Sequence, residues 1–203
     1  MNSGLSDARR APGAVQVMTM PLKIVIAGGF AAGKTTFVDS LSEITPLTTE
    51  APMTSVALGV DDAGAVSTKT TTTVALDFGR ITLSEETMLY LFGTPGQDRF
   101  WFMWDELSKG AVGAVVLVDT RRLADCFPAI DYFEGKAVPY VIAMNCFDRH
   151  LPHNAEEVRE ALSIDPAVPI IPIDARDRAS AKEALVRLVQ HAILKKRTTA
   201  PVA

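Results

Sequence analysis

The chain has 203 residues, 48% of them apolar and 22% charged, an ordinary globular balance that supports one sizeable core and excludes wholesale disorder. Twenty basic residues against 24 acidic ones leave a net charge of −4, which argues against a protein that wraps nucleic acid. Two cysteines, Cys126 and Cys146, without a CxxC pair make no disulfide framework and point to a reducing cytoplasm, and no apolar run approaches the ~18 residues of a membrane span.

Residues 1–20 are small, polar and aperiodic, and read as a disordered N-terminal arm without a signal peptide or myristoylation glycine. One domain is expected over 21–197, followed by a flexible tail at 198–203, which has no prenylation cysteine. Leu22 to Ala27 reads as a strand, and Lys34 to about Glu43 as a helix with Phe37, Val38 and Leu41 at core spacing. Val74 to Phe78 and Met88 to Phe92 read as further strands. Ala114 to Val118, Tyr140 to Met144 and Pro169 to Ile173 are apolar runs of the kind buried in a parallel sheet. Helices are expected near 123–134, 155–162 and 179–195, the last with Ala184, Leu185, Leu188, Val189 and Ala192 on one face. Strands alternating with helices mean an α/β fold with a mainly parallel sheet, with ligands beyond the C-terminal ends of the strands.

Gly28-Gly29-Phe30-Ala31-Ala32-Gly33-Lys34-Thr35 matches G-x-x-x-x-G-K-[ST] between a strand and a helix. Gly28 and Gly33 let backbone N–H groups curl around a phosphate, and the helix start at Thr35 and Thr36 adds partial positive charge. Lys34 supplies a mobile charge for β- and γ-phosphates, and Thr35 offers its hydroxyl to Mg²⁺. Asn145-Cys146-Phe147-Asp148 carries the N-x-x-D part of a guanine-reading N-K-x-D loop. There Asp148 would accept two N–H donors from the guanine edge, and Asn145 would support the base and tie this loop to the phosphate loop. Asp174-Ala175-Arg176 follows the next apolar strand and is similar to an S-A-K loop. Gly93-Thr94-Pro95-Gly96-Gln97 is similar to D-x-A-G-Q. Gly96 could turn its N–H toward a γ-phosphate, and Gln97 could orient an attacking water. The threonine run before Val74 offers a further Mg²⁺ ligand, Thr73 or, second, Thr72.

These motifs occur in an order that resembles a Ras-like small GTPase. Within that superfamily the chain is similar to the bacterial branch with the Mgl-type GTPases and to the actinobacterial conservon GTPases. Shared stretches are Lys69-x-Thr71-Thr72-Thr73-Val74-Ala75-x-Asp77-Phe78-Gly79 and Phe92-Gly93-Thr94-Pro95-Gly96-Gln97-x-Arg99-Phe100. The resemblance implies a P-loop NTPase fold with a six-stranded sheet and five helices, GTP or GDP with Mg²⁺, and slow, partner-regulated hydrolysis. It further implies a roadblock-type protein and a sensor-kinase-like protein as partners. Membrane association would be peripheral at most, by recruitment through those partners to the inner face.

Departures qualify that reading. Gly93 stands where most small GTPases carry an Asp that holds Mg²⁺, so the metal would lean on Thr35, the switch threonine, phosphates and water, or on another acid such as Asp77. Phe30 replaces a common glycine and would crowd Gln97. Cys146 replaces the lysine that covers guanine, and Arg176 the lysine of S-A-K. Arg99 could serve as an internal arginine finger, against its alternative as a surface arginine at a helix start. Phe100, Met103, Trp104 and Leu107 share a core-facing side, which leaves Trp101 and Phe102 as a partner anchor or as packing under a loop. Lys195-Lys196-Arg197 reads as a solvated helix end. A nucleotide-bound interaction module with little turnover is the competing function, and a small phosphotransferase a distant third.

Overall fold

In the computed structural model, residues 20–45, 47–53, 72–96, 102–147 and 150–199 are described. Within them one sheet carries seven strands: β1 (Met20–Gly28), β2 (Leu47–Met53), β3 (Thr72–Ser84), β4 (Thr87–Gly93), β5 (Gly113–Val118), β6 (Tyr140–Asn145) and β7 (Ile170–Ile173). Their spatial order is β2-β3-β4-β1-β5-β6-β7. β4, β1, β5, β6 and β7 are mutually parallel, whereas β2–β3 and β3–β4 pair antiparallel. Five α-helices accompany them: α1 (Lys34–Leu41), α2 (Phe102–Ser108), α3 (Phe127–Gly135), α4 (Ala155–Leu162) and α5 (Arg178–Thr199).

The six expected strands are all present, and the mainly parallel α/β architecture follows. A seventh strand, β2, lies beyond them at the sheet edge, pairing only with β3. An edge strand can accommodate Pro52, which has no N–H for a second ladder, and need not show the apolar run of an inner strand. The expected 123–134 helix opens as a 3-10 turn over Leu123–Cys126 before α3 begins. α5 continues through Thr199, past the expected domain end at 197.

Strand alternation divides the core in two. Ile24 and Ile26 point to one face, with Phe37, Val38 and Leu41 of α1, Val115 and Leu117 of β5, and Leu185 and Leu188 of α5. Val25 and Ala27 point to the other, with Trp104 of α2, Ile130 and Phe133 of α3, and Val158 and Leu162 of α4. Each inner strand is thereby apolar on both faces, which is why its sequence reads as a continuous run. Trp104 stacks on Phe133 with ring centroids 6.0 Å apart and meets the edge of Tyr132 at 5.3 Å. This bears out Trp104 as a core residue. α4 is held at its start by a capping box between Asn154 and Glu157.

The C-terminal ends of β1, β4, β5, β6 and β7 all open on one rim of the sheet. β3 runs the other way, so its early residues reach the same rim: Asp77 is paired with Gly93, the last residue of β4.

Candidate functional site

The loop between β1 and α1 is shaped by its backbone. Gly28 has φ +139°, and a Cβ there would lie 2.4 Å from the Leu117 carbonyl oxygen of β5. Only glycine satisfies both conditions. Gly33 has φ +103° and immediately precedes α1 with no side-chain cap, so the first N–H groups of the helix face the loop. Ala31 adopts φ +59°, a left-handed conformation costing about 1 kcal/mol in a residue with a Cβ. The Ala32 N–H donates to the Gly29 carbonyl at 3.3 Å and closes this turn.

Lys34 folds back over the loop. Its Nζ donates to the carbonyls of Gly28 at 3.0 Å and Gly29 at 2.6 Å, and the residue is only 8% exposed. Burial pushes the ammonium down to about 8, against an upward pull from Asp77. A Cβ on Gly96 would lie 2.9 Å from Nζ, so Gly96 sits against Lys34 as the motif order anticipates. Phe30 is 63% exposed, with its Cα 3.1 Å from that same Cβ position on Gly96. It therefore borders Gly96. Gly29 is crowded from the other side by Asp125 of the 3-10 turn. Thr36 is exposed in the first turn of α1.

Thr35 Oγ1 donates to Asp77 Oδ2 at 2.8 Å. Asp77 is 8% exposed, and the carboxyl pKa of neighbouring Asp39 is raised first by Asp39's own partial burial and then by the Asp77 charge. A hydroxyl and a carboxylate side by side are the hard oxygen donors that Mg²⁺ takes. Among the described residues no cluster of three or more His, Cys, Asp or Glu could hold a metal by itself, so a cation here would need ligand phosphates as well. Thr73 lies in β3 four residues before Asp77, and its side chain is outside the described residues.

On the β6 side, Asn145 is 4% exposed and spans two loops. Its Nδ2 donates to the Ala32 carbonyl at 3.0 Å, and its Oδ1 accepts the Ala175 N–H at 3.0 Å. This brings the phosphate-type loop, the Asn145 loop and the Asp174–Arg176 loop together. Arg176 is folded onto Asp174 through Nε at 2.9 Å and a terminal nitrogen at 2.8 Å, and its N–H donates to Asp174 Oδ1. Cys146 is half-buried, with its N–H on the Ile173 carbonyl at 2.7 Å. Gln97, Arg99, Trp101 and Asp148 lie outside the described residues.

One feature was not anticipated from sequence, and a second was named there only as an alternative. The Arg121 guanidinium lies 4.0 Å from the centroid of the Phe147 ring while also pairing with Asp119. Asp77 was the one acid named from sequence as a stand-in for the contact missing at Gly93, and its hydrogen bond to Thr35 now sets it beside that residue. The available sequence signal was its position five residues after Thr72, on the strand paired to β4.

The family model for conserved hypothetical ATP binding proteins matches residues 26–195. An uncharacterized protein of Methanocaldococcus jannaschii is 32% identical over 129 residues, 63% of this chain and 71% of that protein. Among solved structures, the G domain of the T. maritima FeoB iron transporter superposes with a TM-score of 0.58 at 16% identity, over 85% of this chain and 99% of that one. The small GTPase Arl6 (BBS3) from Trypanosoma brucei, bound to the nucleotide analogue GppNp, gives 0.57 at 15% identity, over 87% and 99%. The fold is thus that of P-loop GTPase domains. No helix among the described residues is long and apolar enough to cross a membrane.

Proposed function

The chain belongs to the family of conserved hypothetical ATP binding proteins, and on that premise we propose that it is a nucleotide-dependent molecular switch that takes guanine nucleotides and hydrolyses GTP slowly. The observation that carries this reading is Asn145, whose amide bridges the Ala32 carbonyl and the Ala175 N–H. A base held by the Asn145–Asp148 and Asp174–Arg176 loops would thereby be fixed in position relative to phosphates on the Gly28–Thr36 loop. The family description names ATP, whereas the N-x-x-D spacing of Asn145 and Asp148 favours guanine. An Asp carboxylate accepts two N–H donors that the guanine edge offers together and the adenine edge does not.

In this reading the backbone N–H groups of Gly29 to Thr36 hold the phosphates, and Lys34 exchanges its loop carbonyls for phosphate oxygens. Gly96 reports the γ-phosphate, Gln97 orients the attacking water, and Arg99 reaches in as an internal finger. Thr35 is an oxygen donor that would hold Mg²⁺, Thr73 would join it in the GTP form, and the ion would supply neutralisation of phosphate charge. Roadblock-type and sensor-kinase-like proteins are the proposed partners, and any membrane association runs through them.

Displacement of a fluorescent GDP analogue tests the base. GTP and GDP should compete far better than ATP, and Asp148→Asn should shift preference toward xanthine nucleotides. Equal competition by ATP and GTP would sink the guanine assignment and favour the family's ATP description. Phe30 and Gly93 support a second reading, an interaction module that holds nucleotide without turnover. Phosphate release above a no-protein control, lost in Gln97→Ala, excludes it.

A further inference from the structure

Resting on the guanine reading above, we propose that Arg121 is a positioning residue for the base: clamped by Asp119 just past the end of β5, its guanidinium holds the Phe147 ring and so sets Asp148, the next residue, at the guanine edge.

The clamp is built from one short stretch of chain. Val118, the last residue of β5, pairs with Met144 of β6, so the segments that follow the two strands leave the sheet side by side. Asp119 accepts three hydrogen bonds from Arg121: the backbone N–H reaches Oδ1 at 3.0 Å, Nε reaches Oδ1 at 2.9 Å and a terminal nitrogen reaches Oδ2 at 2.7 Å. The Asp119 side chain is only 10% exposed, and the Arg121 donors hold its carboxyl below the usual range against the upward push of partial burial. A planar guanidinium fixed along one edge in this way presents its flat face in a set direction. Its central carbon lies 4.0 Å from the Phe147 ring centroid, well inside the ~6 Å reach of a cation–π contact.

Phe147 occupies the point in the base-reading loop where such a hold matters. Before it, Asn145 is tied to Ala32 and Ala175, and the Cys146 N–H to the Ile173 carbonyl. After it, the His150 N–H returns to the Phe147 carbonyl at 2.9 Å. Asp148 follows Phe147 directly, so a rotation of Phe147 is passed to the residue that would read the base. Cys146 contributes only a short side chain to this loop, and the ring under Arg121 supplies rigidity instead. A carboxylate that must meet two N–H donors at once tolerates little misplacement, because hydrogen bonds weaken steeply with angle.

The same connection reaches the phosphate loop. Asp125 packs so closely on Gly29 that a Cβ there would lie 2.5 Å from the Asp125 Cβ, and Asp125 pairs with Arg122. Residues 119–125 therefore touch both loops of the site. Asn145 is one link between base and phosphate loops, and this stretch is a second.

The test is competition against a fluorescent GDP analogue on the full chain, with GDP and inosine diphosphate as competitors. Hypoxanthine lacks the exocyclic amine, so it offers Asp148 one N–H where guanine offers two. The ratio of the two affinities is read within each preparation, so a loss of folded fraction cancels. The wild type should prefer GDP. Arg121→Gln and Phe147→Leu should each lower that preference by roughly 3–10-fold, the size of one cation–π contact, and the two together should lower it no further. Phe147→Trp should retain it, because indole is the better face for a cation. A merely structural role would weaken both nucleotides alike and leave the ratio where it was. An unchanged ratio in Arg121→Gln, or additive losses in the double variant, overturns the proposal and leaves the guanine reading standing. A wild type that takes ADP as readily as GDP overturns both.

Discussion

Asp77 and Gly93 face each other across the β3–β4 ladder, and the side chain of the first stands where a side chain on the second would have to go. The pair links sheet register to chemistry, because it delivers a carboxylate to the Thr35 hydroxyl at the start of α1.

Steric exclusion at this pair is directly measurable. Gly93→Ala should destabilise the fold by ~1–3 kcal/mol, since inserted atoms in a packed site force backbone or side-chain shifts. Adding Asp77→Gly should recover much of that loss, although glycine in a strand carries its own cost of about 0.5–1 kcal/mol. Urea unfolding of the two single variants and the double variant closes the cycle. Strict additivity would show that the two positions do not compete for space.

Lys34 should make both stability and ligand affinity pH-dependent. Burial lowers its pKa to about 8 from an ordinary value of 10.5. Between those values the unfolded chain binds the proton and the folded chain has released it, so this group's contribution to stability rises with pH across the window. Lys34→Met should flatten that rise. Nucleotide affinity should move the other way, falling as pH climbs through about 8, because phosphate needs the charged ammonium. Calorimetric GDP titrations on either side of that pH check it, and a flat profile would refute the role of Lys34.

Asn145→Ala should loosen two loops at once. It leaves the Ala32 carbonyl and the Ala175 N–H without their buried partner. An unmet buried polar group costs ~1–3 kcal/mol. GTP and GDP affinities should fall together, because the bridge is independent of the γ-phosphate. Thermal unfolding and nucleotide titration on the same preparation test this. A selective loss of one nucleotide would contradict it.

Phe30→Gly should separate fold from turnover. With Phe30 63% exposed, its removal should shift stability by no more than about 1 kcal/mol. If its bulk beside Gly96 slows hydrolysis, phosphate release should quicken in the variant. A large drop in melting temperature, or an unchanged rate, would argue against crowding as the brake.

Much of this molecule is written locally. The glycines of the 28–33 loop, the apolar runs of β1, β5 and β6, and the periodicity of α4 and α5 each arise from neighbours within a few residues. Local sequence therefore determined the α/β class, the order of elements and the rim on which the motifs gather. The core role of Trp104 was equally legible, from the spacing of Met103, Trp104 and Leu107. β2 was not, because an edge strand containing Pro52 need not carry the apolar pattern that marks an inner one.

What the tertiary structure alone decided are pairings across large separations. Thr35 meets Asp77 across 42 positions, and Asn145 meets Ala32 across 113. Arg121 comes to lie over the Phe147 ring. Sequence could name Asp77 as a stand-in for the acid missing at Gly93, but not set it beside Thr35. That placement depends on ladder register, and a shift of one residue would turn Asp77 to the opposite face of β3. That register is fixed by how β3 and β4 bury their side chains together, and no local pattern contains it.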